Sequence, residues 1–315
     1  MATATAVNPE QILGRKALTP GQVAWKRFRR HRMALVGMWI LAGLVLYVTV
    51  GALFFSERDA NQVDLRQKMS APSMTHPFGT DMAGRDILAR TVYGGQISII
   101  IALLAVVVAV SAGVLIGAVA GYFGGNTDSV LMRFTEAMFN IPQLFLLIVL
   151  AKFFGGQTPT YTLMGRTYSG SVVVIVAVIG LTSWMYLARI VRSSVLSLKE
   201  QEFVIAARAT GATDFSILFE HILPSANAPI IVTATLEVAA AILAEAYISF
   251  LGMGVQPPTA TWGNMLNEAY NQLESAPWMW FFPGTLILLM VLAINFVGDG
   301  LRDALDPQSL AGAQE

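Results

Sequence analysis

Ile97-Ser-Ile-Ile-Ile-Ala-Leu-Leu-Ala-Val-Val-Val-Ala-Val-Ser-Ala-Gly-Val-Leu-Ile-Gly-Ala-Val-Ala-Gly-Tyr-Phe123 contains no charged residue. An apolar helix needs about 20 residues to cross the hydrocarbon core of a bilayer, so this stretch reads as a membrane span. Five further apolar runs lie to either side of it, separated by polar segments: Met33 to Phe55, Val130 to Phe154, Val172 to Ile190, Ala228 to Leu251 and Trp278 to Val297. The expected fold is an all-α polytopic membrane protein of six transmembrane helices. Composition agrees, with 55% hydrophobic and 13% charged residues, against roughly a quarter charged in soluble domains. Pro142 falls inside the third run and Pro229 near the start of the fifth. Membrane helices tolerate both where neighbours satisfy the freed carbonyls.

An even number of spans places both termini on one side of the membrane. Lys26, Arg27, Arg29, Arg30 and Arg32 precede the first span, and the positive-inside rule puts them in the cytoplasm. Trp25 and Phe28 among these cations predict a short interfacial helix lying on the inner leaflet of the bilayer. No cleavable signal is expected, because the first apolar run is too long for a signal core. In this orientation Gly252 to Pro277 lies outside as a structured cap, with Trp262 and Trp280 as interfacial aromatics. Val191 to Asn227 is the largest inner loop. It holds Ile205-Ala-Ala-Arg-Ala-Thr-Gly211 and, further on, His221-Ile-Leu-Pro224. These read as a short helix of strong helix formers ended by Gly211, a turn, and a second helix stopped by Pro224. Small residues there let a partner protein approach closely; an ordinary surface loop fits the same spacing.

Net charge is zero, which argues against nucleic acid as a partner. Cysteine is absent, so no disulfide or thiolate metal site is expected. No Gly-x-x-x-x-Gly-Lys-Ser/Thr loop or Gly-x-Ser-x-Gly elbow occurs. His31, His76 and His221 are far apart in sequence, with His76 expected across the membrane from the other two, so no metal site and no cofactor are expected. Glu136, Glu237, Glu245 and Asp299 lie within or at the ends of apolar runs, where a charge is costly. Arg133 is expected to pair with Glu136, and Arg302 sits beside Asp299. Glu237 and Glu245 have no cation within a turn and share roughly one helix face, which makes them the candidates for lining a translocation path. Gly113, Gly117, Gly121 and Gly124 mark a face on which another helix packs tightly.

The inner loop resembles the Glu-Ala-Ala coupling motif of bacterial ABC importer permeases. Ala206, Ala207, Gly211, Leu223 and Pro224 fall in register, while Ile205 stands at the motif glutamate and His221 at its isoleucine. His76-Pro-Phe-Gly-Thr-Asp81 with Gly84-Arg-Asp86, Phe250-Leu-Gly-Met-Gly-Val-Gln-Pro-Pro258 with Trp262-Gly263, and Gly298-Asp-Gly-Leu-Arg-Asp-Ala-Leu-Asp-Pro307 resemble segments of the dipeptide and oligopeptide permeases of the C-subunit type. The resemblance implies the type I importer permease fold, with a cytoplasmic N-terminal tail (1–32), a first helix and extracytoplasmic segment (33–95), a core permease domain (96–307) and a C-terminal tail (308–315). It implies a non-catalytic permease subunit in the bacterial inner membrane. The implied partners are a homologous second permease, two cytoplasmic ATPase subunits and an extracytoplasmic substrate-binding protein. Glu202, Phe203, Ala206, Ala207, Arg208, Gly211, Leu223 and Pro224 would dock on an ATPase subunit, with Lys199 also available to it. The cargo implied is a di- or oligopeptide. Relatives that carry nickel, metallophores or glycosides leave those open, and an autonomous proton-coupled transporter is a distant alternative.

Overall fold

The computed structural model describes residues 19–154, 159–163 and 166–306. The first eighteen residues of the expected N-terminal tail, and the expected tail 308–315, lie outside the described residues. Helix α1 (Pro20–Phe28) starts at a reciprocal cap: the Thr19 hydroxyl accepts from the Gln22 N–H, and the Gln22 side chain accepts from the Thr19 N–H. Pro20 at the first helical position loses nothing by lacking a donor. Helix α2 (Arg32–Phe54) is capped by His31, whose Nδ1 accepts from the Ala34 N–H at 3.0 Å. After a short α3 (Glu57–Asn61), the chain crosses an irregular segment to α4 (Ile87–Phe123), which opens on Asp86 accepting from the Ala89 N–H at 2.8 Å.

Helix α4 begins ten residues before the expected Ile97. Gly94 and Gly95 read as punctuation but are contact points. A Cβ on Gly94 would meet the backbone of Ala260 and Thr261, and one on Gly95 would meet Trp262 and Val48. The division expected between residues 95 and 96 therefore falls inside one continuous helix. Further along, Gly113, Gly117 and Gly121 form the predicted close seam, against the backbone of Trp184, Ala188 and Arg192 in helix α7 (Ser171–Leu198). Gly124 is not part of that seam. At φ 65° and ψ −158° it ends α4 in a conformation that favours glycine.

The third predicted span is not a straight helix. It consists of α5 (Gly125–Phe139) and α6 (Gln143–Phe154), inclined at 84° to each other. Pro142 lacks the N–H that would continue the ladder, and its ring disfavours helical geometry at Ile141. The Asn140 side chain closes α5 by donating to the Glu136 carbonyl at 2.9 Å. Strands β1 (Thr160–Leu163) and β2 (Arg166–Ser169) pair antiparallel, with Thr160 opposite Ser169, a small addition to the expected all-α fold. Their Thr and Tyr residues suit a strand pair. Among the described residues five helices are long and apolar enough to span a membrane, and the number is six if the bent pair is counted as one span. They are α2, α4, α7, α9 (Asn227–Phe250) and α11 (Trp278–Leu305).

Helix α4 is the hub of the bundle, packing on α7 and α9 through a core that includes Ile97, Ile101, Ile175, Ile179 and Ile242. Helix α2 lies on α11, where Gly37 admits the Ala293 carbonyl and Phe296. Helix α1 docks by Phe28 against Ala34 of α2 and Gly300 and Ala304 at the end of α11, and Trp25 stacks on Phe28 with half its surface exposed. At the opposite end of the bundle, α10 (Trp262–Ala269) forms the predicted cap. Trp262 is fully buried there, donating from Nε1 to the Thr91 carbonyl at 2.9 Å. Arg85, from the segment leading into α4, and Arg90, in the first turn of α4, both bond to Glu268 of α10, at 2.7 and 3.1 Å.

Candidate coupling surface and translocation path

Helix α8 (Glu202–Ala209) projects from the end of α7. It ends as a glycine-capped helix ends: Gly211 takes φ +83°, and the Ala212 N–H reaches back to the Ala207 carbonyl at 3.1 Å. Thr213 then caps a second helical segment (Asp214–Ser216) by accepting from the Ser216 N–H. That segment widens into a π-turn (Ile217–Ile222) before Leu223–Ser225. In the π-turn the Leu223 N–H bonds five residues back to Leu218, relieving the ladder just before Pro224 removes a donor.

Eight residues are too few for a helix to hold itself together in water, so tertiary contacts keep α8 in place. Val204 is 0% exposed and joins Ile217, Leu218 and Ile222 in a cluster with Val191 and Val195 of α7 and Ala118 of α4. The Tyr122 hydroxyl of α4 donates to Asp214 at 2.6 Å. Arg192 grips Asp128 through two short bonds of 2.5 and 2.6 Å. Lys199, expected to be available to a partner, instead donates to the Gly121 carbonyl at 3.2 Å. The hairpin is thus rooted on both sides of the glycine seam, in α4 and in α7.

What the hairpin leaves open includes most of the residues singled out from the sequence. Glu202, Phe203, Ala206, Arg208, Gly211 and Pro224 are exposed, while Ala207 and Leu223 are half-buried against the anchoring cluster. Three apolar residues outside that set share the open surface: Ile205 at 58%, Phe215 at 70%, and Phe219, whose ring lies 4.4 Å from that of Phe215. Exposed apolar side chains grouped in this way make the hairpin a candidate interaction surface. Phe215 and Phe219 stand four apart, close in sequence to the buried Ile217, Leu218 and Ile222; that excess of apolar residues over what one buried face needs was the available signal.

The intramembrane acids separate. Glu245 is 0% exposed; its Oε1 accepts from Ser249 at 2.7 Å and its Oε2 from Ser98 of α4 at 3.0 Å. Ser98 Oγ in turn accepts from the Trp262 N–H at 3.2 Å. Glu245 therefore ties the cap to two helices and lines no open surface, against the expectation for it. Glu237 is half-buried. Glu136 and Asp299 are exposed, and neither forms the ion pair expected with Arg133 or Arg302. Asn295 donates within its own helix, to the Val291 carbonyl at 2.9 Å. Among the described residues no group of His, Cys, Asp or Glu could hold a metal ion.

The sequence matches the family described as "Binding-protein-dependent transport system inner membrane component" over residues 113–309. The chain belongs to that family. Residues 19–72 also match the "N-terminal TM domain of oligopeptide transport permease C". The permease is 39% identical to the oligopeptide transport system permease protein OppC of Haemophilus influenzae, over 91% of this chain and 88% of that one. It is 39% identical to OppC of Bacillus subtilis (98% and 95%) and 40% identical to that organism's dipeptide transport system permease protein DppC (93% and 88%). The permease is accordingly a multi-pass inner-membrane subunit of an ABC transport system, and it works with other subunits.

Proposed function

We propose that this permease forms the membrane path of an importer for di- and oligopeptides. It would be paired with a homologous permease, driven by two cytoplasmic ATPase subunits and supplied by an extracytoplasmic binding protein. Both termini and the α8 hairpin face the cytoplasm. The observation that carries the cargo is the identity of about 40% to oligopeptide and dipeptide permeases along nearly the whole chain. Coupling is supported by an exposed apolar hairpin rooted in two membrane helices. ATP-driven movement of the ATPase subunits would be delivered at Phe203, Ala206, Ala207, Arg208 and Gly211, with Glu202, Leu223 and Pro224 at the edges. The roots in α4 and α7 would turn it into rigid-body motion. The permease carries no catalytic group for this; it transmits. In proteoliposomes holding the full complex, the binding protein and a labelled tripeptide should together produce ATP-dependent uptake. Uptake of a nickel chelate or a glycoside in place of the peptide would overturn the cargo assignment.

A further inference from the structure

The break at Pro142 leaves Asn140, Ile141, Pro142, Gln143 and Leu144 all exposed. Its depth follows from its neighbour: Gln143 Nε2 donates to Ser183 Oγ at 3.3 Å. Ser183 lies twelve residues into α7 from Ser171 at the cap end, or about 18 Å at roughly 1.5 Å per residue. The hydrocarbon core is about 30 Å thick, which places the break near its middle. Irregular backbone and exposed side-chain amides are not tolerated against lipid at that depth; they must be covered by protein or face water. A groove of about 470 Å³ opens from this break, lined by Gln143, Leu144, Leu147, Ala240, Leu243 and Tyr247 among others. Its size falls in the range of about 300–1,000 Å³ usual for small-molecule sites. Glu237 lies one turn of α9 from Ala240, ten residues from the hairpin end of α9, or about 15 Å at the same rise. It reaches the same level from the other direction.

We propose that the Asn140–Gln143 elbow and the groove between α6 and α9 hold the peptide midway across the membrane. This rests on the peptide reading above and names the surface that reading lacked. Carboxamides both donate and accept, so Asn140 and Gln143 match the repeating N–H and C=O of a peptide backbone whatever its side chains. The nearly apolar groove takes those side chains without selecting among them, and the Glu237 carboxylate lies at the level of an N-terminal ammonium.

The absence of cysteine makes the test direct. Single variants Asn140→Cys, Gln143→Cys and Tyr247→Cys, with Leu46→Cys on the exposed face of α2 as control, are placed in the full complex in proteoliposomes. They are treated during turnover with a charged methanethiosulfonate reagent. The elbow and groove positions should react, the control should not, and saturating Ala-Phe-Ala delivered by the binding protein should slow the reaction at least about tenfold. Uptake of the tripeptide by the unsubstituted complex is measured alongside. No uptake overturns the cargo reading; uptake with elbow cysteines that are unreactive, or reactive but unprotected, overturns the site alone.

Discussion

Val204→Ala should loosen the coupling hairpin without touching its docking face. The side chain is fully buried between α8 and the Val191–Val195 face of α7, and truncation removes two methyl groups. At about 0.8 kcal/mol per buried carbon the transfer loss is roughly 1.6 kcal/mol. The cavity left behind raises the total to about 2–3 kcal/mol. Since about 1.4 kcal/mol is tenfold in an equilibrium, the fraction of time α8 spends undocked should rise some 30- to 150-fold. Hydrogen exchange in the complete complex reads this directly. The amides closing α8 and its cap, Thr210, Gly211 and Ala212, should exchange at least about tenfold faster, while those in the middle of α4 and α7 keep their rates. Uptake should fall while ATP hydrolysis persists. Phe203→Ala is the counterpart: its half-exposed ring lies off the anchoring cluster, so exchange in α8 should stay unchanged while affinity for the ATPase subunit drops. If Val204→Ala leaves α8 exchange at the original rate, or speeds α4 and α7 equally, the anchor argument fails.

Gly211→Ala places a Cβ in open space but in a left-handed conformation, costing about 1–2 kcal/mol; transport should fall modestly, and a bulky Gly211→Trp should uncouple uptake from hydrolysis. Unaltered uptake by the tryptophan variant would remove the docking role. Gly117→Leu drives a side chain into the Ala188 carbonyl and Val191, and overpacking of this kind costs about 1–3 kcal/mol; thermal unfolding in detergent should show a lower midpoint than for a leucine at Gly43, where a Cβ meets nothing. The Asp59 carboxyl is held below its ordinary range by the Ser56 N–H, then by the Ser56 hydroxyl. Its capping of α3 is therefore complete above the ordinary carboxylate range and is lost as pH falls through the lowered value; Ser56→Ala should make α3 fray at a higher pH, visible as faster exchange at Ala60.

The spans were legible because a bilayer demands long uncharged runs, and few other environments do. Glycine was less so, since one residue type serves two physical ends. At Gly124 it permits a break, whereas at Gly94 and Gly95 it lets α4 run on against Trp262 and Thr261. Which applies depends on a cap more than 160 positions further along the chain, and no local window contains it. Pro142 announced a disturbance, but the 84° turn depends on how α5 and α6 each pack against α7. In the hairpin, the small residues of α8 stood out by type. Phe215 and Phe219 did not, because five apolar residues crowd positions 215 to 222 and only the fold decides which of them are buried.

Glu237 and Glu245 show how far two equal signals can diverge. Eight residues apart on one helix, with no cation near either, they were equivalent as sequence. Glu245 stands eighteen residues from the hairpin end of α9, about 27 Å along it, and so meets the cap, where Ser98, Ser249 and the Trp262 N–H close a buried polar knot around it. A buried acid satisfied by hydroxyl donors fixes geometry, so Glu245→Gln should be tolerated while Glu245→Leu, leaving those hydroxyls unpartnered, should not. Glu237 has no such donors, and the amide of Glu237→Gln keeps its shape while removing the charge. If the charge serves cargo, the Glu237→Gln complex should keep its unfolding midpoint and lose uptake of peptides with a free N-terminus while retaining N-acetylated ones. A stability loss with unchanged uptake would place Glu237 with Glu245, as a bundle residue.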